Sequence, residues 1–302
     1  MMSVWNPRFT CLNSGLLTLS VAAASTLLVP CSARAGDRLL ATWGVSEVEG
    51  AGGGGLTPWA TMAGSGSSNQ VGGSAFVTKT RTDGGYDLQI AGAAVGINDR
   101  VELSMARWSF KLSDVVSGKS IEMNTVGIKV RVAGDAVYDQ DRWLPQISVG
   151  AQFKSNDDDA LVKSLGARDS ADLDVYAAAT KLWLGAAGGY NVLTNLTMRW
   201  TRANQFGLVG FGGPGHGHRQ LMWEGSVGLM PRDDVVVGVE YRQKPNNLAT
   251  VAAILKEEDA WDAFVAWFPT RQLSLTAAWL NLGNIVSKPD QSGVYLSGQV
   301  TF

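Results

Sequence analysis

The stretch Gly293–Phe302, GVYLSGQVTF, decides the reading of the fold. Val294, Leu296, Gly298, Val300 and Phe302 alternate with Tyr295, Ser297, Gln299 and Thr301, a period of two that gives a strand one apolar and one mostly polar face. An aromatic side chain at position 302 calls for surroundings where no solvated tail is needed, and hydrocarbon supplies them. The same alternation recurs upstream. QLSLTAAW sets Leu273, Leu275, Ala277 and Trp279 against Gln272, Ser274 and Thr276, and VVVGVEYR sets Val235, Val237, Val239 and Tyr241 against Gly238, Glu240 and Arg242. VGIKVRV, LPQISVGAQFK and YNVLTNLTMRW behave alike, with Lys129, Arg131, Lys154 and Arg199 on their polar sides. Facing is ambiguous for residues 74–80 and 173–184, where both registers place a charge or an apolar residue awkwardly.

These segments run to about ten residues or more, against about five or six for strands of soluble proteins. Counting back from Phe302 gives twelve strands, near 70–81, 86–97, 100–110, 121–133, 143–154, 170–184, 189–202, 218–230, 233–244, 258–268, 271–282 and 291–302. Short connections at 98–99, 186–189, 231–233 and 269–270 alternate with longer polar ones at 111–120, 155–169, 203–217, 245–257 and 283–290, and 134–142 is an intermediate member of the short set. This predicts an all-β, antiparallel, up-and-down transmembrane barrel of about twelve strands, with short periplasmic turns and longer outer loops. Trp143, Trp200, Trp261, Trp267, Trp279 and Tyr241 fit aromatic girdles at the lipid boundary. A soluble β-sandwich would also alternate, but it wants shorter strands.

Composition agrees. Charged residues make up 17% of the 302 and the net charge is −2, which gives no ground for nucleic-acid binding. Arg8, the apolar run 15–29 and Ala33-Arg34-Ala35 read as a cleaved secretory signal over 1–35; export together with a predicted barrel makes the outer membrane of a Gram-negative bacterium the expected location. Cys11 and Cys31 both lie within it, so thiol chemistry is not expected beyond Gly36. Residues 70–302 form the predicted barrel. Residues 36–69 carry two short apolar pieces, LLATWGV and LTPWATM, separated by Gly52, Gly53, Gly54 and Gly55. Pro58 removes a ladder donor from the second piece, so the segment is expected inside or beneath the barrel as a plug, the alternative being two further wall strands and a total of fourteen.

The stretches GGGGLTPWA (52–60), GDAVYDQDRWLPQISVG (134–150), ANQFGLVGFGG (203–213), EYRQKPNNL (240–248) and FVAWFP (264–269) resemble a proteobacterial outer-membrane family catalogued as domain of unknown function 3034. The resemblance covers essentially all of the chain after the signal and implies an envelope barrel, without site residues to carry over. A Phe at position 302 is similar to the signal read by the bacterial barrel-assembly machinery, the expected partner beside membrane lipid.

Function has to be read from side chains. Glu102, Lys129, Arg131, Lys154, Arg199, Glu224, Glu240, Arg242 and Asp262 fall on polar faces, as they must where an Arg or Lys facing lipid costs about 2–4 kcal/mol. They read either as ion pairs filling a small lumen or as the lining of a path for a small solute. His216 and His218 in GGPGHGHRQ could bind metal or act as a base, with Asp157, Asp158 and Asp159 nearby, but no spacing ties the two loops together. EGAGGGGL lacks the Lys and Ser/Thr of a phosphate loop. No catalytic role, metal or cofactor is expected, and the chain reads as a narrow, porin-like channel or transporter, the alternatives being a non-conducting structural or surface-interaction barrel or a surface hydrolase.

Overall fold

The computed structural model describes residues 36–112, 118–286 and 288–302. The predicted signal segment, the middle of the 111–120 loop and Ser287 lie outside the described residues. Two strands of two residues each, β1 (Val45–Ser46) and β2 (Gly52–Gly53), form a small hairpin. Twelve more make the wall: β3 (Val71–Thr82), β4 (Asp87–Ile97), β5 (Val101–Lys111), β6 (Ser120–Ala133), β7 (Gln146–Asn156), β8 (Ala171–Ala187), β9 (Tyr190–Thr201), β10 (Gln220–Arg232), β11 (Val235–Arg242), β12 (Ala260–Trp267), β13 (Leu273–Asn281) and β14 (Ser292–Thr301). Each pairs antiparallel with the next, and β14 pairs with β3 from Gly293↔Thr82 to Thr301↔Ser74, so the sheet closes on itself and leaves no open edge. A short helix, α1 (Asp159–Ser164), follows β7.

Closure by β3 to β14 rules out the fourteen-strand alternative: the two apolar pieces of residues 36–69 contribute no wall strand. Three boundary readings also change. Ser155 and Asn156 belong to β7 rather than to a loop. The connection after β6 runs from Gly134 to Pro145, longer than predicted, because Pro145 has no N–H to enter a ladder and β7 starts after it. The expected polar loop 203–217 is not polar throughout, since residues 203–213 are buried.

Period two now has a physical outcome. Outward positions such as Leu103, Val126, Phe153, Leu196, Val239 and Leu296 are exposed apolar side chains, forming a belt around the barrel. Trp200, Trp223, Tyr241, Trp261 and Trp279 crown it where the longer loops lie, and Trp143, Tyr190, Trp267 and Phe302 ring the end with the short turns. In β8 the ambiguity resolves with Asp172, Asp174, Tyr176 and Thr180 inward and Leu173 and Val175 outward. In β3, Phe76, Thr78 and Thr80 point inward.

The closing seam explains Phe302. Its N–H donates to Gly73 O at 2.9 Å, and its own carbonyl accepts from Gly73 N at 2.7 Å and Ser65 N at 3.3 Å. A side chain at Gly73 would put its Cβ 2.6 Å from the Phe302 ring, so glycine there makes room for it.

Candidate lumen site

Residues 41–65 are buried throughout, and their partners are inward-facing wall side chains. The segment has too little regular structure to satisfy its own backbone, so the wall does so. Glu102 accepts from Gly52 N at 3.0 Å and Ala63 N at 2.7 Å, while Lys129 donates to Gly52 O at 2.8 Å and Trp59 O at 3.1 Å and pairs with Glu102 at 3.0 Å. On the other side Glu240 accepts from Leu56 N at 2.7 Å and Thr57 Oγ1 at 2.8 Å. Asn195 and Thr197 donate to Pro58 O, and Gln146 and Ser148 donate to Ala60 O. Gln299 accepts from Ser46 N at 2.6 Å.

The glycines make this possible by close approach. A Cβ on Gly53 would stand 2.3 Å from Thr57 O and one on Gly54 2.0 Å from Glu240 Oε1, while at Gly55 the Tyr295 hydroxyl is already 3.4 Å away. Gly50 takes φ +102° and turns the chain between Glu49 and Ala51, a conformation that costs glycine little.

That turn presents Glu49 to a girdle of wall charges. Glu49 meets Arg242 at 2.8 Å, Arg199 at 3.1 Å and Lys154. Asp174 pairs with Lys154 at 2.6 Å, and Glu224 pairs with Arg242 at 3.3 Å and with Arg199. Three cations therefore face three carboxylates, all with side chains at most 3% exposed, so the group is neutral as a whole. Pairing of this completeness is what lets charges stay buried. Beside it Gln152 donates to Glu47 at 2.7 Å and accepts from Arg199 at 2.6 Å.

All the predicted lumen residues except Arg131 are brought into this interior. Arg131 shares their parity but lies at the end of β6, where it pairs with Asp99 and with Asp135 at 2.8 Å. Glu240 and Asp262 face each other directly across β11 and β12, with no cation paired to either among the described residues. Glu47, Glu49 and Asp174 went unnoticed in the sequence. The first two lie in a segment without a period to assign facing, and Asp174 lies in one of the two strands whose facing was ambiguous.

Both ends of the lumen are covered. At the turn end Asp135 accepts from Val137 N at 2.8 Å and Tyr138 N at 2.7 Å, folding residues 135–140 over the barrel, and Leu39 N donates to Tyr138 Oη at 3.2 Å. At the loop end residues 203–213 dip inward as a lid. Asn156 donates to Leu208 O at 2.9 Å, Asn247 to Asn204 Oδ1 at 2.9 Å and Lys244 to Gln205 Oε1 at 3.0 Å. Phe206 lies under the Arg242 guanidinium, 4.6 Å from ring centre to Cζ, which ties lid to girdle. Gln205 and Phe206 take φ of 45° and 63°, a left-handed pair costing on the order of 1–3 kcal/mol each that the surrounding contacts hold in place. Burial pushes the Glu257 carboxyl up to about 7 and the Lys244 ammonium down to about 8, both in the connection between β11 and β12 where Glu257 accepts from Gln205 N at 2.9 Å.

His216 and His218 are exposed beyond the lid, and Asp157, Asp158 and Asp159 pair instead with Arg107, Lys119 and Lys163. The two sets stay apart in metal-binding terms: among the described residues no cluster of three His, Cys, Asp or Glu could hold an ion.

Four of the five stretches that carried the family resemblance thus fill, cap or line the lumen: residues 52–60 fill it, 134–140 cap one end, 203–213 lid the other, and 240–248 supply Glu240, Arg242, Lys244 and Asn247. The chain belongs to the family described as protein of unknown function DUF3034, which matches over residues 42–299. No curated protein matches it in sequence. Among solved structures it is similar to the outer membrane protein Omp33 of Acinetobacter baumannii, with 8% identity over 78% of this chain and 100% of that one and a TM-score of 0.47. It is also similar to the KdgM porin, with 10% identity over 76% and 99% and a TM-score of 0.45. Outer membrane phospholipase A of Escherichia coli follows with 8% identity over 76% and 92% and a TM-score of 0.41. At such identities the likeness is one of barrel fold alone.

Proposed function

We propose that this chain is a Gram-negative outer-membrane barrel that passes a small solute only when its inner segment, residues 36–66, moves. Membrane location is supported by the closed wall, the apolar belt between two aromatic rings, and ten of the twelve wall strands having nine or more residues, the length a tilted strand needs to cross the hydrocarbon.

The observation that carries gating is the chemistry of the contact between segment and wall. The segment is held by carboxylates, ammonium and guanidinium groups and amides, beside apolar contacts in which Trp43, Val45, Val48, Leu56 and Trp59 join the buried core, Trp43 edge-on to Phe268. Exchanging a polar bond for one to water changes free energy less than exposing apolar surface, so the polar contacts let the segment move while its apolar contacts keep such movement rare. Once the segment leaves, the same side chains line an aqueous path.

The second reading, a non-conducting barrel, is favoured by how completely the segment, cap and lid fill the lumen. Planar-bilayer recording separates the two. Gating predicts rare small openings of the full chain and sustained, larger conductance when residues 37–64 are removed. A folded deletion protein that stays silent would refute gating.

A further inference from the structure

Above the inner segment and beneath the lid lies a cleft that the ion pairs do not explain. Its floor is Val48, Gly55 and Leu56, and its walls include Leu88, Phe110, Phe206, Leu208, Leu280 and Ile285. It encloses about 650 Å³ between atoms, mouth included, of which about 50 Å³ admits the centre of a water molecule. One water needs about 10–15 Å³ on the latter measure, so the space is a slender slot rather than a chamber.

Three polar atoms in this apolar lining have no hydrogen-bond partner among the described residues: Trp108 Nε1, Tyr295 Oη and Asp262 Oδ1. Their residues are 1%, 4% and 5% exposed. A buried polar group left unpaired costs about 1–3 kcal/mol, and three lining one cleft mark a place built to be completed by something else. Together they offer donors and an acceptor.

We infer that the cleft binds a slender, neutral, mostly apolar molecule bearing a hydroxyl group, with a linear alkanol as the simplest example. The hydrocarbon part takes the slot, and the hydroxyl donates to Asp262 while accepting from Tyr295 or Trp108. Charge argues against the ionised alternatives. A carboxylate would meet Asp262 and Glu240, which oppose each other without a paired cation among the described residues. An ammonium would meet Arg242 and Lys244, which lie 4.6 Å and 5.6 Å from the Phe206 ring that lines the cleft. This site does not depend on conduction: a barrel that conducts without binding an alkanol defeats this inference alone, and a silent barrel that binds one defeats only the gate.

The test is photolabelling of the full chain in lipid nanodiscs with a diazirine-bearing decanol, followed by peptide mapping. Adducts are expected on cleft residues such as Phe206 and Leu282, competed by excess 1-decanol and not by equal decanoate or decylamine. Tyr295→Phe, which keeps the ring, should lower cleft labelling about fivefold to tenfold while labelling of lipid-facing Leu296 stays constant as the control for folding. Adducts confined to Leu296 and its outward neighbours, or equal competition by decanoate or decylamine, overturns the assignment.

Discussion

Glu49→Gln is the sharpest probe of the interior, because it changes charge without changing shape. In the intact girdle Lys154, Arg199 and Arg242 are balanced by Glu49, Asp174 and Glu224. The substitution leaves three cations against two carboxylates, all in side chains almost without solvent. Breaking a buried pair from one side costs about 3–5 kcal/mol. Glu49 belongs to the inner segment and its partners to the wall, so the penalty falls on seating of the segment rather than on the sheet. At about 1.4 kcal/mol per tenfold, the unseated population rises by about two to three and a half orders of magnitude. Cys11 and Cys31 both precede Gly36, so Thr61→Cys supplies the only thiol after that point, at a position 2% exposed. Its maleimide labelling should quicken by at least a hundredfold in the Glu49→Gln background. Adding Lys154→Met restores charge balance and should recover part of the loss, by about fivefold or more. Labelling that is equally slow in both backgrounds, with the barrel folded, would refute the account of the girdle as the anchor.

Three further outcomes are expected. Deleting Phe302 removes its pairing with Gly73 and Ser65 at the seam, so heat-modifiable folded barrel should fall well below that of a chain lacking residues 159–165, which lie outside the wall; equal yields would contradict this. Gly53→Ala places a methyl 2.3 Å from Thr57 O, in backbone that cannot turn aside, and should speed Thr61→Cys labelling with no loss of heat-modifiable barrel. The lid should loosen as pH rises. Burial raises the Glu257 pKa to about 7 against an ordinary 4.5, so its contribution to lid closure is complete below 4.5 and lost as pH rises through 7; its charged neighbour is Lys244, which itself faces Asp259, Glu258 and Arg242. Hydrogen-exchange protection of amides 205–209, corrected for intrinsic rate, should decline between pH 5 and 7, and Glu257→Gln should flatten that slope.

The wall was legible in the sequence because lipid on one side and polar groups on the other enforce strict alternation, and strands such as β14 announce their facing at every residue. Where the lumen side is itself mixed, as at Asp172, Asp174 and Ala178 of β8, alternation loses its contrast and the facing is not readable. The short apolar pieces and glycines of residues 36–69 set them apart from the wall strands, but their bonds were not readable. Glu49 reaches Arg242, 193 residues away, through a contact that no local pattern encodes. The lid was misjudged for a different reason. Its glycines and its position between strands suggested a solvated loop, while Phe206, Leu208, Val209 and Phe211 already carried more apolar surface than such a loop keeps in water.

The seating of the inner segment also sets an order of events. Its partners are spread along nearly the whole wall: Glu102 on β5, Lys154 on β7, Arg199 on β9, Arg242 on β11 and Gln299 on β14. The last of these lies 253 residues from Ser46. The girdle is incomplete until β11 brings Arg242, and Ser65 meets Phe302 only when the seam zips. Contacts so distant in sequence are slow to form, since loop closure has to precede them. Synthesised ahead of every wall strand, residues 41–65 are therefore among the last to reach their final positions, and the same step that shuts the cylinder locks its contents.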